Sequence, residues 1–327
     1  MLQLRIENLL LLKQYILQNN EEWQQVKLNA ERHNGWFTQE FIAHSLQNIC
    51  DAYLDKNELE KYANDMKLVD TTSIQRIVGI TMAGNIPLVG FHDFLSVYLS
   101  GHIQHIKLSS KDDILLPHLI KKMYEIDEQN ISKIIIATML KNCDAYIATG
   151  SNNSALYFEK YFAKFPHIIR KNRTSVAILT GEETDEDLLN LADDVYLYFG
   201  LGCRNVSKIF VPENYQFEKL LHIFNKYDAL KNHHKYRNNY DYNLAIFILN
   251  NQFYMSNESI LLSENKSNYA AISVLNFEYY RDKPSIPNPS EIQAIVGKGY
   301  IPFGKAQNPS IIDYADGISM IDFINSL

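Results

Sequence analysis

The sequence predicts an α/β protein of two domains, each built on a parallel sheet. Three observations carry this. After Ile74 the texture changes, and short apolar runs of strand length alternate with longer runs at helical spacing, the order that crossover helices impose on parallel strands. The alternation pauses near Lys171-Asn172 and restarts at Val176, which makes two sets. The chain has 327 residues, 46% hydrophobic and 21% charged, which is long for one core and comfortable for two.

Residues 1–70 read as helical. Leu9, Leu10, Leu12, Ile16 and Leu17 recur at helical spacing, as do Phe41, Ile42, Leu46, Ile49 and Leu54, and Asn34-Gly35 separates the two runs. Ile77 to Met82 is a buried-strand run, 88–99 a helix, 103–107 a strand, and 114–126 and 131–140 helices. A strand over 145–149 and a helix over 154–162 complete the first set. The second set has strands at 176–179 and 206–211 and helices at 185–199 and 214–228. The polar stretch 231–243 reads as an excursion, 244–249 and 271–275 as strands, and the Pro-rich 283–289 as a loop. The expected division is 1–172 for the helical region and a nucleotide-binding domain, 173–300 for a catalytic domain, and 301–327 for a closing tail that also serves oligomerisation.

Composition narrows the function classes. The net charge is −7, with no block of Lys or Arg, so a nucleic-acid surface is disfavoured. No apolar run is long enough to span a bilayer, and Met1 to Asn8 lacks a signal-peptide layout, so a cytoplasmic location is expected. Three cysteines, Cys50, Cys143 and Cys203, make neither a disulfide framework nor a zinc spacing. His233-His234 has no third ligand spaced for a metal, so no metal is expected. Cys50 and Cys143 sit in or beside apolar helical patterns and read as inert buried thiols. Cys203 differs. It closes Gly200-Leu201-Gly202-Cys203, between a helix-like run and a strand-like run, where loose backbone can present a sulfur to a cleft.

Four other segments stand in a fixed order around it. Gly84-Asn85-Ile86-Pro87 follows a strand and resembles the Asn-x-Pro turn of the aldehyde dehydrogenase superfamily. Ile106-Lys107-Leu108-Ser109 resembles its Ile-Lys-Pro-Ser segment, Thr149-Gly150-Ser151 its Thr-Gly-Ser turn, Gly202-Cys203 its nucleophile loop, and Pro302-Phe303-Gly304 its Pro-Phe-Gly segment. Within that superfamily the chain is similar to the LuxC-type acyl-CoA reductases. Met82 to Phe91, Tyr198 to Pro212, Ile301 to Asn308 and Asp313 to Gly317 carry that likeness in detail.

The resemblance implies an aldehyde-dehydrogenase-like fold, with a Rossmann-like cofactor domain and a catalytic domain, and a reductase that turns an acyl thioester into an aldehyde. A thiolate suits the task, because exchanging one thioester for another costs little. The amide of Asn85 and the backbone N–H of Cys203 would stabilise the oxyanion. The resemblance implies NADPH as hydride donor, with NADH as the alternative, contacted by Thr81, Lys107, Thr149, Gly150 and Ser151 at strand ends. The Gly-x-Gly-x-x-Gly fingerprint is absent, as it is in this superfamily.

One departure matters. Where hydrolytic aldehyde dehydrogenases carry a Glu, this chain reads Ile168-Ile169-Arg170-Lys171-Asn172, so hydrolysis of the thioester should be slow. His92 and His102 lie near the Asn85 turn in sequence as possible proton carriers. The expected partners are an acyl-CoA or other acyl thioester, an enzyme that supplies the acyl group, and at least one further copy of the chain. Two alternatives stay open: a semialdehyde or acyl-phosphate reductase using the same Cys203, and a non-catalytic acyl-carrying or scaffold subunit.

Overall fold

A computed structural model describes residues 2–67 and 75–327. The helical reading also covered Met1 and Leu68–Asp70, and the change of texture began at Ile74; these lie outside the described residues. The chain forms two compact units, one of residues 1–172 with 309–327, the other of 173–308.

The first unit opens with helices α1 (Leu2–Gln18), α2 (Glu21–His33), α3 (Gln39–Asn48) and α4 (Lys56–Asp65), with a π-helical stretch Ile49–Tyr53 after α3. Ile6, Leu9, Leu12 and Ile16 form the buried stripe of α1. The starts of the next three helices are capped by side chains: Asn20 accepts from Trp23 N–H, Thr38 from Phe41 N–H, and Asp55 from Asn57 and Glu58 N–H. A five-stranded parallel sheet follows. It comprises β1 (Ile77–Thr81), β2 (Ile103–Lys107), β3 (Ile134–Ile136), β4 (Ala145–Thr149) and β5 (His167–Arg170), with α5 (Phe91–Ser100), α6 (Leu115–Ile126) and α7 (Asn152–Phe162) as crossovers. The strand order is β3-β2-β1-β4-β5. The order turns back on itself between β1 and β4, which opens a crevice at their carboxyl ends.

The expected helix over 131–140 is not formed. A short 3-10 turn, Glu128–Ser132, leads instead into strand β3. The run Ile134-Ile135-Ile136 is β-branched throughout, and its backbone pairs with β2.

The second unit contains β6 (Thr174–Ile178), α8 (Asp185–Tyr196), β7 (Val206–Pro212), α9 (Phe217–Ile223), α10 (His234–Leu249), β8 (Met255–Ser256), β9 (Leu261–Glu264), β10 (Val274–Tyr280) and β11 (Ile292–Gly297). Its sheet runs β11-β6-β7-β10-β9-β8, parallel except for the terminal β8. The expected excursion 231–243 and strand 244–249 are instead one helix, α10, preceded by a 3-10 segment over 224–232. His233 caps it by accepting Tyr236 N–H, and Tyr236 and Tyr240, one turn apart, are its buried face. The apolar hexapeptide that suggested a strand is largely on the surface, with Ile248 and Leu249 57% and 77% exposed. The strand expected at 271–275 starts at Val274 and runs on to Tyr280, while β9 and β11 were not expected.

The stretch 301–327 is shared between the units. Residues 301–308 belong to the second, where the Asp194 carboxylate accepts the N–H groups of Gly304 and Ala306. Residues 309–327, including α11 (Met320–Asn325), belong to the first, where Ile311, Met320 and Ile324 join the core and Arg76 Nε donates to Leu327 O.

Candidate active site

In the first unit, three expected cofactor segments share one edge of the sheet. Thr81, the last residue of β1, pairs with Lys107, the last of β2, on one side and with Ala148 on the other. Thr149 ends β4, and Gly150-Ser151 turn the chain into α7. Ser151 caps α7 by accepting Ser154 N–H, and the first turn of that helix carries no acidic residue. Lys107 is exposed. A helix N-terminus free of carboxylates, hydroxyls and an ammonium along the carboxyl edge of a parallel sheet form a donor set suited to the phosphates and riboses of a dinucleotide.

The Asn85 turn hangs over the same edge and is built tightly. Met82 N–H donates to Lys107 O, which joins the turn to the end of β2. Gly84 is closely packed: a Cβ there would lie 2.7 Å from Ser109 Oγ and 2.8 Å from Ser109 Cβ, so any larger residue would force the turn or Ser109 to shift. Leu88 adopts a left-handed backbone with φ 56°. Two buried polar side chains hold this conformation. Ser45 Oγ donates to Pro87 O at 2.7 Å, and Asp112 Oδ2 accepts Leu88 N–H at 2.7 Å. Burial pushes the Asp112 carboxyl up to about 7. Asn85 itself is partly exposed. The two motifs of β1 and β2 are thus one physical object, joined through Lys107, Ser109 and Asp112.

The two histidines near that turn in sequence have other places. His102 precedes β2 and so lies at the amino edge of the sheet; it is buried, accepts Arg76 N–H at 3.3 Å, and burial lowers its pKa. His92 Nε2 donates to Ile311 O at 2.8 Å, with its ring among Tyr53, Tyr62 and Tyr314. Arg170, in the segment Ile168 to Asn172, is buried in an ion pair with Asp93 at 2.5 Å.

In the second unit, Cys203 is partly exposed, whereas Cys50 and Cys143 are buried. Burial raises both of those thiols, Cys50 to about 11. The approach to Cys203 is strained. Tyr198, Phe199 and Gly200 are consecutive left-handed residues with φ of 54°, 57° and 73°. Each non-glycine residue there costs about 1–2 kcal/mol. Ring burial offsets this: Tyr198 and Phe199 are 4% and 1% exposed, and Phe199 packs on His233 and Tyr236 with centroids 4.4 and 5.7 Å away. His233 is therefore occupied as a helix cap and a packing partner. Among the described residues no group of three His, Cys, Asp or Glu is placed to hold a metal.

Around Cys203 the backbone is pinned. Asn205 Oδ1 accepts Gly202 N–H at 2.8 Å, and Ser175 Oγ donates to Cys203 O at 3.0 Å. Asp194, in the last turn of α8, accepts Gly304 N–H at 2.7 Å and Ala306 N–H at 3.0 Å, and burial pushes its carboxyl up to about 7. The Cys203 loop and the Pro302-Phe303-Gly304 segment, distant in sequence, are thus both fastened to α8. Sequence reasoning missed Ser45, Asp112, Asp194, Ser175 and Asn205. The available signal was proximity: Asn205 follows Cys203 by two residues, and Asp112 closes the Lys107 segment.

Comparison with known proteins bears on the family and the fold. The family model of the LuxC acyl-CoA reductases matches residues 6–226, which include Asn85, Lys107, Thr149 and Cys203. No curated protein matches the chain. Among solved structures it is similar to aldehyde dehydrogenase 21 from Physcomitrella patens in complex with the reaction product succinate, at 12% identity and TM-score 0.65, covering 86% of this chain and 69% of that one. The aldehyde dehydrogenase of Mycobacterium tuberculosis complexed with NAD+ matches at 12% identity and TM-score 0.63, covering 85% and 68%. An aldehyde dehydrogenase from Bacillus cereus matches at 14% and 0.64, covering 85% and 67%. At such identity the likeness to these structures is one of fold. Two parallel-sheet units of this topology and a family match across most of the chain make it a member of the LuxC acyl-CoA reductase family with an aldehyde-dehydrogenase-like fold.

Proposed function

We propose that the chain reduces an acyl thioester, in the first instance an acyl-CoA, to an aldehyde with NADPH, by way of a thioester on Cys203. The observation that carries this is Cys203 itself: a partly exposed thiol on a strained, pinned loop inside a reductase-family match, while the other two thiols are buried. The Cys203 sulfur attacks the acyl carbonyl carbon, the carbon–sulfur bond to CoA breaks, and CoA leaves as the thiol with the proton Cys203 gave up. The Asn85 amide and the Cys203 backbone N–H stabilise the oxyanion. A nicotinamide cofactor supplies the hydride. The resulting thiohemiacetal takes up a proton and collapses, releasing aldehyde and restoring the thiol. Thr81, Lys107 and Thr149-Gly150-Ser151 are assigned to hold the cofactor, with Lys107 on the adenosine ribose or its 2′-phosphate. The Arg170 segment supplies no carboxylate to activate water, which favours hydride transfer over hydrolysis. The reading extends to an acyl-supplying partner enzyme and a cytoplasmic homo-oligomer; among the described residues no helix is long and apolar enough to cross a membrane.

The test is NADPH oxidation by the purified protein with a panel of acyl-CoAs, with free CoA titrated in parallel. Coupled oxidation and CoA release, both lost in Cys203→Ala while NADPH still binds, is the expected result. Turnover retained in Cys203→Ala refutes it. Phosphate release from acyl phosphates without activity on acyl-CoAs would move the substrate class, and CoA release without NADPH oxidation would mark an acyl carrier.

A further inference from the structure

We propose that Asn205 is the positioning residue of the Cys203 nucleophile, acting through the backbone on either side of it. The inference rests on the reading of Cys203 as acyl acceptor. Asn205 is 2% exposed, and its side chain is fully engaged. Nδ2 donates to the carbonyls of Asp194 at 3.1 Å and Val195 at 3.4 Å, in the last turn of α8, and of Leu197 at 2.8 Å, just past its end. Oδ1 accepts Gly202 N–H at 2.8 Å. One amide group therefore ties the end of the helix to the residue before the nucleophile, across the left-handed turn of Tyr198, Phe199 and Gly200.

The main chain of Asn205 completes the clamp. Its N–H donates to Gly202 O at 3.1 Å, and its carbonyl accepts Ser175 N–H at 3.2 Å. Ser175, on β6, also donates Oγ to Cys203 O at 3.0 Å. Gly202 O and Cys203 O belong to the peptide planes on either side of Cys203. Both are hydrogen-bonded, one to Asn205 and one to Ser175, so the Cα–Cβ direction of Cys203 and the aim of its N–H are set by this network. The residue type is specific. The site needs two donors for helix carbonyls and one acceptor for a backbone N–H at the reach of a short side chain, and among the short side chains only asparagine supplies that set. Aspartate has the shape but would turn a carboxylate oxygen toward three carbonyls.

Misplacing a nucleophile by about 1 Å costs on the order of a hundredfold in rate, so the variants should report on reactivity more than on folding. The experiment uses the full chain with Asn205→Asp and, as the milder change, Ser175→Ala. Two readouts are the rate of Cys203 alkylation by iodoacetamide across pH, with Cys203→Ala as blank, and the single-turnover release of CoA from octanoyl-CoA. The expected result is alkylation and CoA release slowed by about ten- to a hundredfold, an alkylation profile displaced to higher pH, and NADPH affinity unchanged. Wild-type alkylation rates, pH profile and CoA release in folded variants overturn the proposal. Should Asn205→Asp not fold, Ser175→Ala decides alone. The two readings fail separately: if alkylating wild-type Cys203 leaves turnover intact, the nucleophile assignment falls; if it abolishes turnover while the variants behave as wild type, only the positioning role falls.

Discussion

Replacing Asp112 by Asn tests how the Asn85 turn is held, and the magnitude can be worked from the site. Asp112 is 8% exposed. Its Oδ2 accepts Leu88 N–H at 2.7 Å, while Oδ1 is buried with no hydrogen-bond partner among the described residues. Burial is the main force raising the carboxyl to about 7; the Leu88 bond opposes it and Asp113 adds to it. In an unfolded chain the same group titrates near 3.9. Between those two values the folded protein keeps a proton that the unfolded chain has released. The stability Asp112 contributes is therefore complete below about pH 4 and is lost as pH rises to about 7. A shift of roughly three units is worth at most about 4 kcal/mol, less whatever the site relaxes.

Asparagine preserves the acceptor for Leu88 and cannot ionise. Asp112→Asn should match the wild type within about 1 kcal/mol near pH 4 and exceed it by about 2–4 kcal/mol near pH 8. Urea unfolding followed by tryptophan fluorescence is the appropriate assay, because both tryptophans, Trp23 and Trp36, lie in the first unit. Parallel pH dependences for the two proteins, or a variant less stable than wild type near pH 8, would refute the argument that an ionised carboxylate is forced on this site.

Two further perturbations probe the same unit. Gly84→Ala places a Cβ 2.7 Å from Ser109 Oγ; the turn must shift, at about 1–3 kcal/mol in thermal or urea unfolding, and adding Ser109→Gly should recover most of the loss, a result that would fail if the clash lies elsewhere. Asp93→Ala removes the carboxylate that pairs with buried Arg170 and should cost about 3–5 kcal/mol in urea unfolding, whereas Asp93→Leu with Arg170→Met should be close to neutral; equal losses in the two would count against loss of this charge pair as the cause.

How much of this was legible depended on the kind of signal. Strands β1 and β4 were readable because a strand buried on both faces is written as a short continuous apolar run, and each ends at a turn whose residues are constrained by chemistry. Ile131 to Leu140 misled because periodicity alone does not separate a short helix from an edge strand; the β-branched Ile134-Ile135-Ile136 was the better guide. Leu244 to Leu249 misled for the opposite reason. A continuous apolar run was read as burial, yet in α10 the buried contacts are Tyr236 and Tyr240, inside a stretch that looked like polar loop, and the apolar end is exposed. Five of the seven residues of the expected site, Thr81, Lys107 and Thr149-Gly150-Ser151, lie at the carboxyl edge of one sheet, as their positions after apolar runs implied.

The residues that hold the motifs were not legible, and the reason is physical. Ser45, Asp112, Asp194, Ser175 and Asn205 are small polar residues, several of them in segments where such residues ordinarily cap helices or face water. What separates them is burial, which the long-range fold decides. Ser45 reaches Pro87 and Asp194 reaches Gly304 over separations no local pattern encodes. The converse inference does run forward. A reactive loop must expose its chemical group, so it cannot be held by burying that group; it has to be held by its backbone. Gly202 N–H, Cys203 O, Leu88 N–H and Pro87 O each have a named side-chain partner here. Each partner is a short side chain of matching donor or acceptor type. Once a nucleophile or oxyanion turn has been found in a sequence, the next residues to seek are buried Asn, Asp and Ser able to satisfy the peptide groups that flank it. Substituting them should alter reactivity before it alters the fold.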